Sequence, residues 1–258
     1  MTQLRDQEQG CPWDKKQTNQ SIAPFTIEEA YEVVDAINKN DPDKLKEELG
    51  DLLFQVIFLS EIASEKNQFK FNDVVEGITD KMIRRHPHVI NPEINGNSDD
   101  RNSSWENLKK IERKNRALSR GEDFTTLSDV PDALPALIRS IKLQKRASKE
   151  GFDWTNVIGS LEKLKEEVSE FIDEIKSPLK KNHNLFASDE FGDILFSWVN
   201  VARHHNIDPE NALRMTNNKF VRRFNFIESK LKTMNISIES ATLDQMESLW
   251  NQAKDDEK

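Results

Sequence analysis

Apolar residues recur at intervals of three and four along several stretches of the chain, which is the spacing of amphipathic helices. These stretches are Ile22–Ile37, Leu45–Ile62 and Val74–Ile83. Between the first two, the polar segment NKNDPDKL offers Asp41 or Asp43 as an N-cap and Pro42 for the first turn of the next helix. The pattern predicts a helical hairpin followed by a third helix.

The periodicity then stops and resumes. The polar segment NPEINGNSDDRNSS at 91–104 is typical of a loop, and WENLKKIERKNRAL at 105–118 predicts another helix. The following GEDFTTLSDVPDALP contains two prolines and is typical of a linker. We therefore predict an N-terminal domain at 1–118, a linker at 119–135 and a C-terminal domain at 136–258.

Short motifs of the first half recur in the same order in the second half. The pairs are EEAYE (28–32) with EEVSE (166–170), EELGDLLF (47–54) with DEFGDILF (189–196), KMIRR (81–85) with KFVRR (219–223), WENLK (105–109) with WNQAK (250–254), and GCPWD (10–14) with GFDW (151–154). Joint recurrence predicts two homologous helical domains. The second has the longer connection, KSPLKKNHNLFASD, between its first two helices.

Composition supports helices, because the 258 residues include only eight glycines and are rich in Glu, Lys, Leu and Ile. An all-α fold is the prediction. A net charge of −9 disfavours nucleic acid and anionic membranes as partners. The N-terminus lacks an apolar leader and the run LLFQVIFL is too short to span a bilayer, so we expect a cytoplasmic protein without a membrane partner.

The repeated acidic residues form pairs three positions apart, so the two carboxylates of a pair share one helix face. Glu29 and Glu32 form such a pair, and Glu48 and Asp51 form the next. If the two helices are antiparallel, four carboxylates meet across the seam, and their mutual repulsion requires a divalent cation. A site with only oxygen donors suits Mg²⁺ or Mn²⁺ rather than Zn²⁺. The sequence has no Glu-x-x-His motif, which disfavours a di-iron site.

Two glycine–aspartate pairs precede apolar helices that we expect to be largely buried. Asp51 and Asp193 head these helices, and Gly50 and Gly192 weaken them by about 1 kcal/mol relative to alanine. This placement suggests close approach of another backbone or of a ligand.

Basic and aromatic residues recur with the acids. Lys81 and Arg85, like Lys219 and Arg223, lie one helical turn apart and could grip a polyphosphate. The pairs Trp105 with Lys109 and Trp250 with Lys254 offer an indole to stack on a base beside an ammonium group.

Each motif has an ordinary explanation by itself. A Glu-rich helix face and Lys-x-x-x-Arg are usually solvated surface, and single tryptophans are usually core or interface anchors. A helical regulatory module that binds nucleotides or a protein without turnover, or a purely structural helical dimer, is the alternative to an enzyme. Joint recurrence in one order favours a working site.

The segments CPWDKKQT, EEAYEVVDAI, EELGDLLFQVIF and KMIRRHPHV resemble the MazG family of nucleoside triphosphate pyrophosphohydrolases, over essentially the whole chain. The resemblance implies helical, four-helix-bundle-like domains completed by homodimerisation and a dependence on Mg²⁺, with Mn²⁺ as a substitute. It also implies hydrolysis of nucleoside triphosphates to nucleoside monophosphate and pyrophosphate with broad base tolerance, in nucleotide-pool housecleaning or stress regulation.

In the two-domain members of that family the C-terminal repeat is the catalytic one. The resemblance assigns the metal to Glu167, Glu170, Glu190 and Asp193. Glu166 is adjacent to these ligands but outside the i, i+3 pair, so we consider it a candidate general base or a residue that supports the ligands. The resemblance assigns nucleotide contacts to Lys163, Leu164, Lys165, Glu166, Glu167, Lys219, Arg222, Arg223, Trp250 and Lys254. The first repeat keeps counterparts for a possible second site at Glu28, Glu29, Glu32, Glu48, Asp51, Lys81, Arg85, Trp105 and Lys109.

Overall fold

A computed structural model describes residues 1–86, 89, 98–176 and 183–257, and within these residues all regular structure is helical. The predicted all-α fold is therefore confirmed. The helices are α1 (Asn19–Asn38), α2 (Pro42–Glu65), α3 (Phe71–Arg85), α4 (Ser98–Ser119), α5 (Ala136–Lys149), α6 (Val157–Ile175), α7 (His183–His204), α8 (Pro209–Thr233) and α9 (Leu243–Asp255).

The chain divides into two compact units, Met1–Glu112 and Arg113–Lys258. The division falls inside α4, while the segment between α4 and α5 contains no helix. Each unit carries one copy of the repeated motifs and is described by itself. The domain limits inferred from the sequence, 118 and 136, stay a prediction.

Helix ends follow from local chemistry. Asp41 is the N-cap of α2, where its side chain accepts a hydrogen bond from the backbone N–H of Lys44, and Pro42 occupies the first turn. Asp208 caps α8 in the same way. Left-handed asparagines follow four of the helices, a conformation that asparagine adopts more readily than most residues. These are Asn40, Asn67, Asn206 and Asn235.

In the first unit, α1 and α2 pack together as the predicted hairpin, and α3 packs against α2. Ile22, Phe58 and Ile62 form the buried centre of the hairpin, with Leu59 packed beside them. Phe58 and Ile62 lie four residues apart on one face of α2, and Ile22 comes from α1.

In the second unit, α6 and α7 form the corresponding hairpin around Leu164, Ile194 and Val201. Helices α8 and α9 pack around a separate cluster that contains Ile227 and Leu231. Helix α5 contacts both α7 and α8. The second unit therefore has a hairpin core and a distinct α8–α9 core.

Two segments taken for connections are partly helical. Residues 98–104, predicted as part of a loop, form the first two turns of α4, and residues 183–189 begin α7. Residues 98–104 contain no apolar side chain and so show no apolar stripe, although Asp99 and Asp100 are residues that favour a helix N-terminus. In the described part of the chain, no helix combines the length and the hydropathy that crossing a membrane requires.

Candidate functional site

Three carboxylates of the first unit converge where α1 faces α2. One oxygen each from Glu29, Glu48 and Asp51 lies within 4.8 Å of the other two. Glu48 is 1% exposed, Glu29 is half-buried and Asp51 is exposed. The hairpin therefore gathers three acids from two helices at the edge of its core.

The second unit repeats this arrangement at the equivalent positions. Oxygens of Glu167, Glu190 and Asp193 lie within 4.8 Å of one another, and Glu167 is 6% exposed. Glu167 comes from α6 and the other two come from α7. Below, these sets are called the first and second acid groups.

The fourth acid of each predicted set lies beside its group. The Glu48 carboxyl lies beside that of Glu32. A hydrogen bond between the two carboxyls and their like charge raise the pKa of Glu32. Partial burial raises the pKa of Glu170, and the neighbouring Glu167 raises it further. Glu32 and Glu170 thus adjoin the three acids without belonging to the closest set. Glu28 and Glu166 are exposed on the same helices.

One lysine stands against the most buried acid of each group. Lys44 Nζ lies 2.5 Å from Glu48 Oε1, and Lys163 Nζ lies 2.9 Å from Glu167 Oε1. Each lysine precedes its acid by four residues, and the pentapeptide is KLKEE in both places. Lys44 belongs to the second helix of its hairpin, whereas Lys163 belongs to the first helix.

The lysines therefore do not occupy equivalent positions of the two repeats. In the alignment of the two repeats, Phe25 corresponds to Lys163 and Phe186 corresponds to Lys44. The first repeat therefore has the phenylalanine on its first helix and the lysine on its second, and the second repeat has the reverse. Motifs matched helix by helix do not show this exchange, because KLKEE lies in the second helix of one hairpin and in the first helix of the other. Lys163 is a predicted nucleotide contact, and its ion pairs with Glu166 and Glu167 place it at the acid group.

The charges of the acid groups are only partly balanced. Partial loss of solvent contact raises the pKa of Glu29 and of Asp193. The nearby carboxylate of Asp51 raises the pKa of Glu29 further, and that of Glu167 does so for Asp193. The Lys44 ammonium lowers the pKa of Glu48 despite burial. Three acids that share one cation retain excess negative charge, which is the condition that a divalent ion relieves.

The donor set fits a hard divalent cation. All close donors in both groups are carboxylate oxygens, as Mg²⁺ and Mn²⁺ prefer, with no thiolate or imidazole among them. Separations of up to 4.8 Å can be closed by small side-chain rotations. The described acids can therefore hold one such ion between the helices of each hairpin.

Part of what the glycine–aspartate pairs led us to expect is wrong. Asp51 and Asp193 lie within α2 and α7 rather than at their starts, and these helices are less buried than expected, because residues such as Leu53 and Leu195 are exposed. A Cβ at Gly50 or Gly192 would meet no heavy atom within 4 Å, so no other backbone among the described residues approaches there. The space beside both glycines is open to a ligand.

The basic motifs are tied to acids that sequence reasoning missed. Arg85 forms a close ion pair with Glu112, and Arg223 Nη2 lies 2.6 Å from Glu257 Oε2. Glu112 and Glu257 follow Trp105 and Trp250 by the same seven residues, so the two ion pairs are equivalent. The sequence signal for these ion pairs is a glutamate three residues after the lysine of each Trp-x-x-x-Lys motif.

Two predicted nucleotide contacts of α8, Arg222 and Arg223, have their partners on α9 and in the residues that follow it. Helix α8 packs against α5 and α9, and the Arg223 guanidinium lies 5.3 Å from the centroid of the Trp250 ring. Arg222 also pairs with Glu257, while Lys219 and Lys254 are exposed. Among the described residues, no hydrogen bond or ion pair joins these groups to the acids.

The corresponding residues of the first unit are placed only in part. Lys81 is half-buried near the end of α3, and Lys109 lies on α4. The side chain of Trp105 lies outside the described residues. For these positions the assignment stays a prediction.

A cavity of about 610 Å³ opens beside the second acid group and was not predicted. Lys163, Glu167 and Asp193 form part of its wall. The other lining residues are Leu127, Leu143, Gln144, Ala147, Gly151, Phe152, Asp153, Trp154, Phe196, Ser197, Asn200 and Arg203. The cavity volume is within the range of small-molecule sites in proteins.

The fold and these sites define a class of protein, an all-α protein built from a repeated helical unit in which each copy carries a carboxylate group suited to a divalent cation. Comparison with protein families agrees, because the MazG nucleotide pyrophosphohydrolase domain matches residues 17–90 and again 155–226. The chain belongs to the MazG family.

Relatives extend over most of the chain. It is 43% identical over 254 residues to the nucleoside triphosphate pyrophosphohydrolase of Escherichia coli K12, covering 98% of this chain and 94% of that protein. It is 39% identical to the nucleoside triphosphate pyrophosphohydrolase/pyrophosphatase MazG of Thermotoga maritima, covering 98% and 92%. It is 46% identical to the uncharacterised YabN of Bacillus subtilis, covering 96% of this chain and 49% of YabN.

Proposed function

We propose that this protein hydrolyses nucleoside triphosphates and their deoxy forms to nucleoside monophosphate and pyrophosphate, with Mg²⁺ as cofactor and Mn²⁺ as a substitute. The observation that carries the proposal is the second acid group, in which Glu167, Glu190 and Asp193 converge beside a cavity of about 610 Å³. Nucleotide-pool housecleaning or stress regulation in the cytoplasm is the role that suits this reaction.

We assign the residues of the second unit to metal binding, phosphate binding and proton transfer according to their chemistry. Glu167, Glu190 and Asp193 would hold the cation, with Glu170 at the edge of the set. When bound, the cation supplies charge neutralisation on phosphate oxygens and acidifies water for attack. Lys163, already within 2.9 Å of Glu167, would turn its ammonium toward the phosphate chain. The exposed Glu166 is the candidate to accept a proton from the attacking water.

We further propose that a homodimer completes the site. Several large apolar side chains on the outer faces of α6 and α7 are exposed, and such patches mark interaction surfaces. They include Val168, Ile172, Phe191, Leu195 and Trp198. A second copy that covers this face with its α8 would bring Lys219 and Arg223 to the phosphate chain, where they would neutralise the leaving pyrophosphate.

The reaction is tested by pyrophosphate release with Mg²⁺, in the wild type and in matched variants of equivalent acids. Asp193→Asn should reduce the rate about a hundredfold or more, because it removes a charged ligand without disturbing a buried contact. Asp51→Asn shows whether the first unit contributes. Asp173→Asn, an exposed acid on α6 outside the group, should keep the wild-type rate. Unchanged turnover in Asp193→Asn would reject the second acid group.

The point of attack and the role of the second copy need separate assays. Hydrolysis in ¹⁸O-labelled water should place the label in the monophosphate, since attack at the nucleoside-proximal phosphorus expels pyrophosphate.

Mixing inactive Asp193→Asn with inactive Arg223→Ala should restore activity if α8 acts on the partner's acids, because mixed dimers contain one intact site. No recovery after subunit exchange would mean that the two groups act within one chain.

A further inference from the structure

The cavity beside the second acid group has an aromatic wall held in a fixed position. Asp153 accepts hydrogen bonds from the Arg203 guanidinium on α7, with Arg203 Nη1 at 2.9 Å from Asp153 Oδ2. The ring of Trp154 lies against Gly159 in the first turn of α6, where a Cβ would be only 2.7 Å from Trp154 Cε3. Phe152 projects at the rim and is 85% exposed. The ion pair and the glycine therefore anchor an indole face along the cavity.

An unpartnered polar atom also lies in this wall. Gln144 is 6% exposed, and its Nε2 donates to the Phe196 carbonyl at 2.8 Å. Its Oε1 is buried and has no hydrogen-bond partner among the described residues. A buried acceptor without a partner costs about 1 to 3 kcal/mol, so the site favours a ligand with an N–H group.

The neighbouring Asn200 has a fixed orientation. Its Oδ1 accepts a hydrogen bond from Arg203 Nη2 at 2.8 Å, which leaves the Nδ2 hydrogens as donors. The cavity lining thus contains both an amide acceptor and an amide donor. Every common nucleobase has N–H donors and acceptors side by side on its edge, and each base has a face that can stack on indole.

In the first unit an aromatic side chain fills the position equivalent to Asn200. Phe58 stands where the second repeat has Asn200, and it is 0% exposed. Its ring centroid lies 6.5 Å from that of Trp13, the counterpart of Trp154, and 5.8 Å from that of Phe54. The Arg5 guanidinium lies 5.4 Å from the Phe58 ring centroid on the same core. Aromatic packing occupies the place that is open in the second unit.

We propose that the cavity of the second unit receives the nucleobase of the substrate, with Trp154 as the stacking surface and Gln144 Oε1 as a hydrogen-bond acceptor, and that Phe58 removes this subsite from the first repeat. The inference rests on the proposed triphosphate hydrolysis and deepens it. It assigns base recognition to residues of α5, α7 and the loop before α6. The two repeats share the carboxylates and differ in the base subsite.

The test exchanges the residues that distinguish the repeats. Asn200→Phe installs the first repeat's side chain in the cavity of the second, and KM and kcat are measured for ATP and UTP. Inorganic tripolyphosphate, which has no base, serves as a competitive inhibitor that reports on the phosphate end alone. Asn72→Phe, on an exposed asparagine of α3, is the matched control.

Loss of base stacking corresponds to about a five- to 150-fold change in affinity. Asn200→Phe should therefore raise KM for both nucleotides about tenfold or more, and the tripolyphosphate inhibition constant should stay within about twofold. Trp154→Ala, a half-exposed position, should give the same separation if Asn200→Phe fails to fold by circular dichroism. Asn72→Phe should match the wild type in both measurements.

Two results overturn the base subsite. One is an unchanged KM for ATP and UTP in both folded variants, and the other is a parallel rise in KM and in the tripolyphosphate constant. A wild type that releases no pyrophosphate, or that tripolyphosphate does not inhibit, instead rejects the proposed function. The two failures are therefore distinguishable.

Discussion

Phe58→Asn is the reciprocal exchange, and its effect on the stability of the first unit can be worked out from the packing. Phe58 is fully buried and contacts the rings of Trp13 and Phe54 edge to face. Truncating a buried phenylalanine costs about 3 to 5 kcal/mol. The new amide adds about 1 kcal/mol or more if it finds no partner. We expect the local free energy of unfolding to fall by about 4 to 6 kcal/mol.

Hydrogen exchange of the α2 amides, followed by mass spectrometry, measures this change locally. A loss of about 4 to 6 kcal/mol corresponds to a fall in protection of about three to four orders of magnitude. Phe58→Leu is the control, because it keeps an apolar side chain and should cost clearly less than Phe58→Asn. A loss below about 1 kcal/mol in Phe58→Asn would refute the reasoning, since the site would then already tolerate an open polar cavity.

Three further outcomes are expected. Arg5 lowers the pKa of Glu65, so their pair contributes stability above the unfolded pKa of about 4.3 and loses it as pH falls through the lower folded value. Glu65→Gln should lower stability by about 1 kcal/mol at pH 7 and flatten the acid limb of urea unfolding between pH 2 and 6. Gly159→Ala should displace the Trp154 ring and raise KM for nucleotides in steady-state assays, while far-UV circular dichroism stays unchanged. Mg²⁺ at a hundred times its Kd should stabilise the wild type by about 2.7 kcal/mol in thermal melts, and Asp193→Asn should weaken this gain.

The helices, the paired acids and the tandem arrangement could be predicted from the sequence, because they follow from helix periodicity and from the spacing of the acids. The apolar stripe of α2 and the cap at Asp41 follow from rules that act within a few residues. The i, i+3 acids Glu48 and Asp51 had to share a helix face for the same reason. Recurrence of these motifs then predicted the tandem arrangement, because a duplicated hairpin repeats its local signals.

The base cavity could not be predicted in this way. Gln144 and Asn200 lie on different helices and meet the Trp154 loop only through tertiary packing. Each polar residue, taken by itself, is an ordinary member of a helix. The sequence signal for the cavity is the difference between Phe58 and Asn200, four residues after the matching motifs EELGDLLF and DEFGDILF.

The lysine beside each buried acid has a consequence for metal exchange. Lys44 balances the charge of Glu48 at 2.5 Å, and Lys163 does so for Glu167 at 2.9 Å. A cation that binds there would compete with this ammonium, so we expect metal binding to exchange one positive partner of the acid for another. We also expect the ammonium to reduce the repulsion among the acids when no ion is bound.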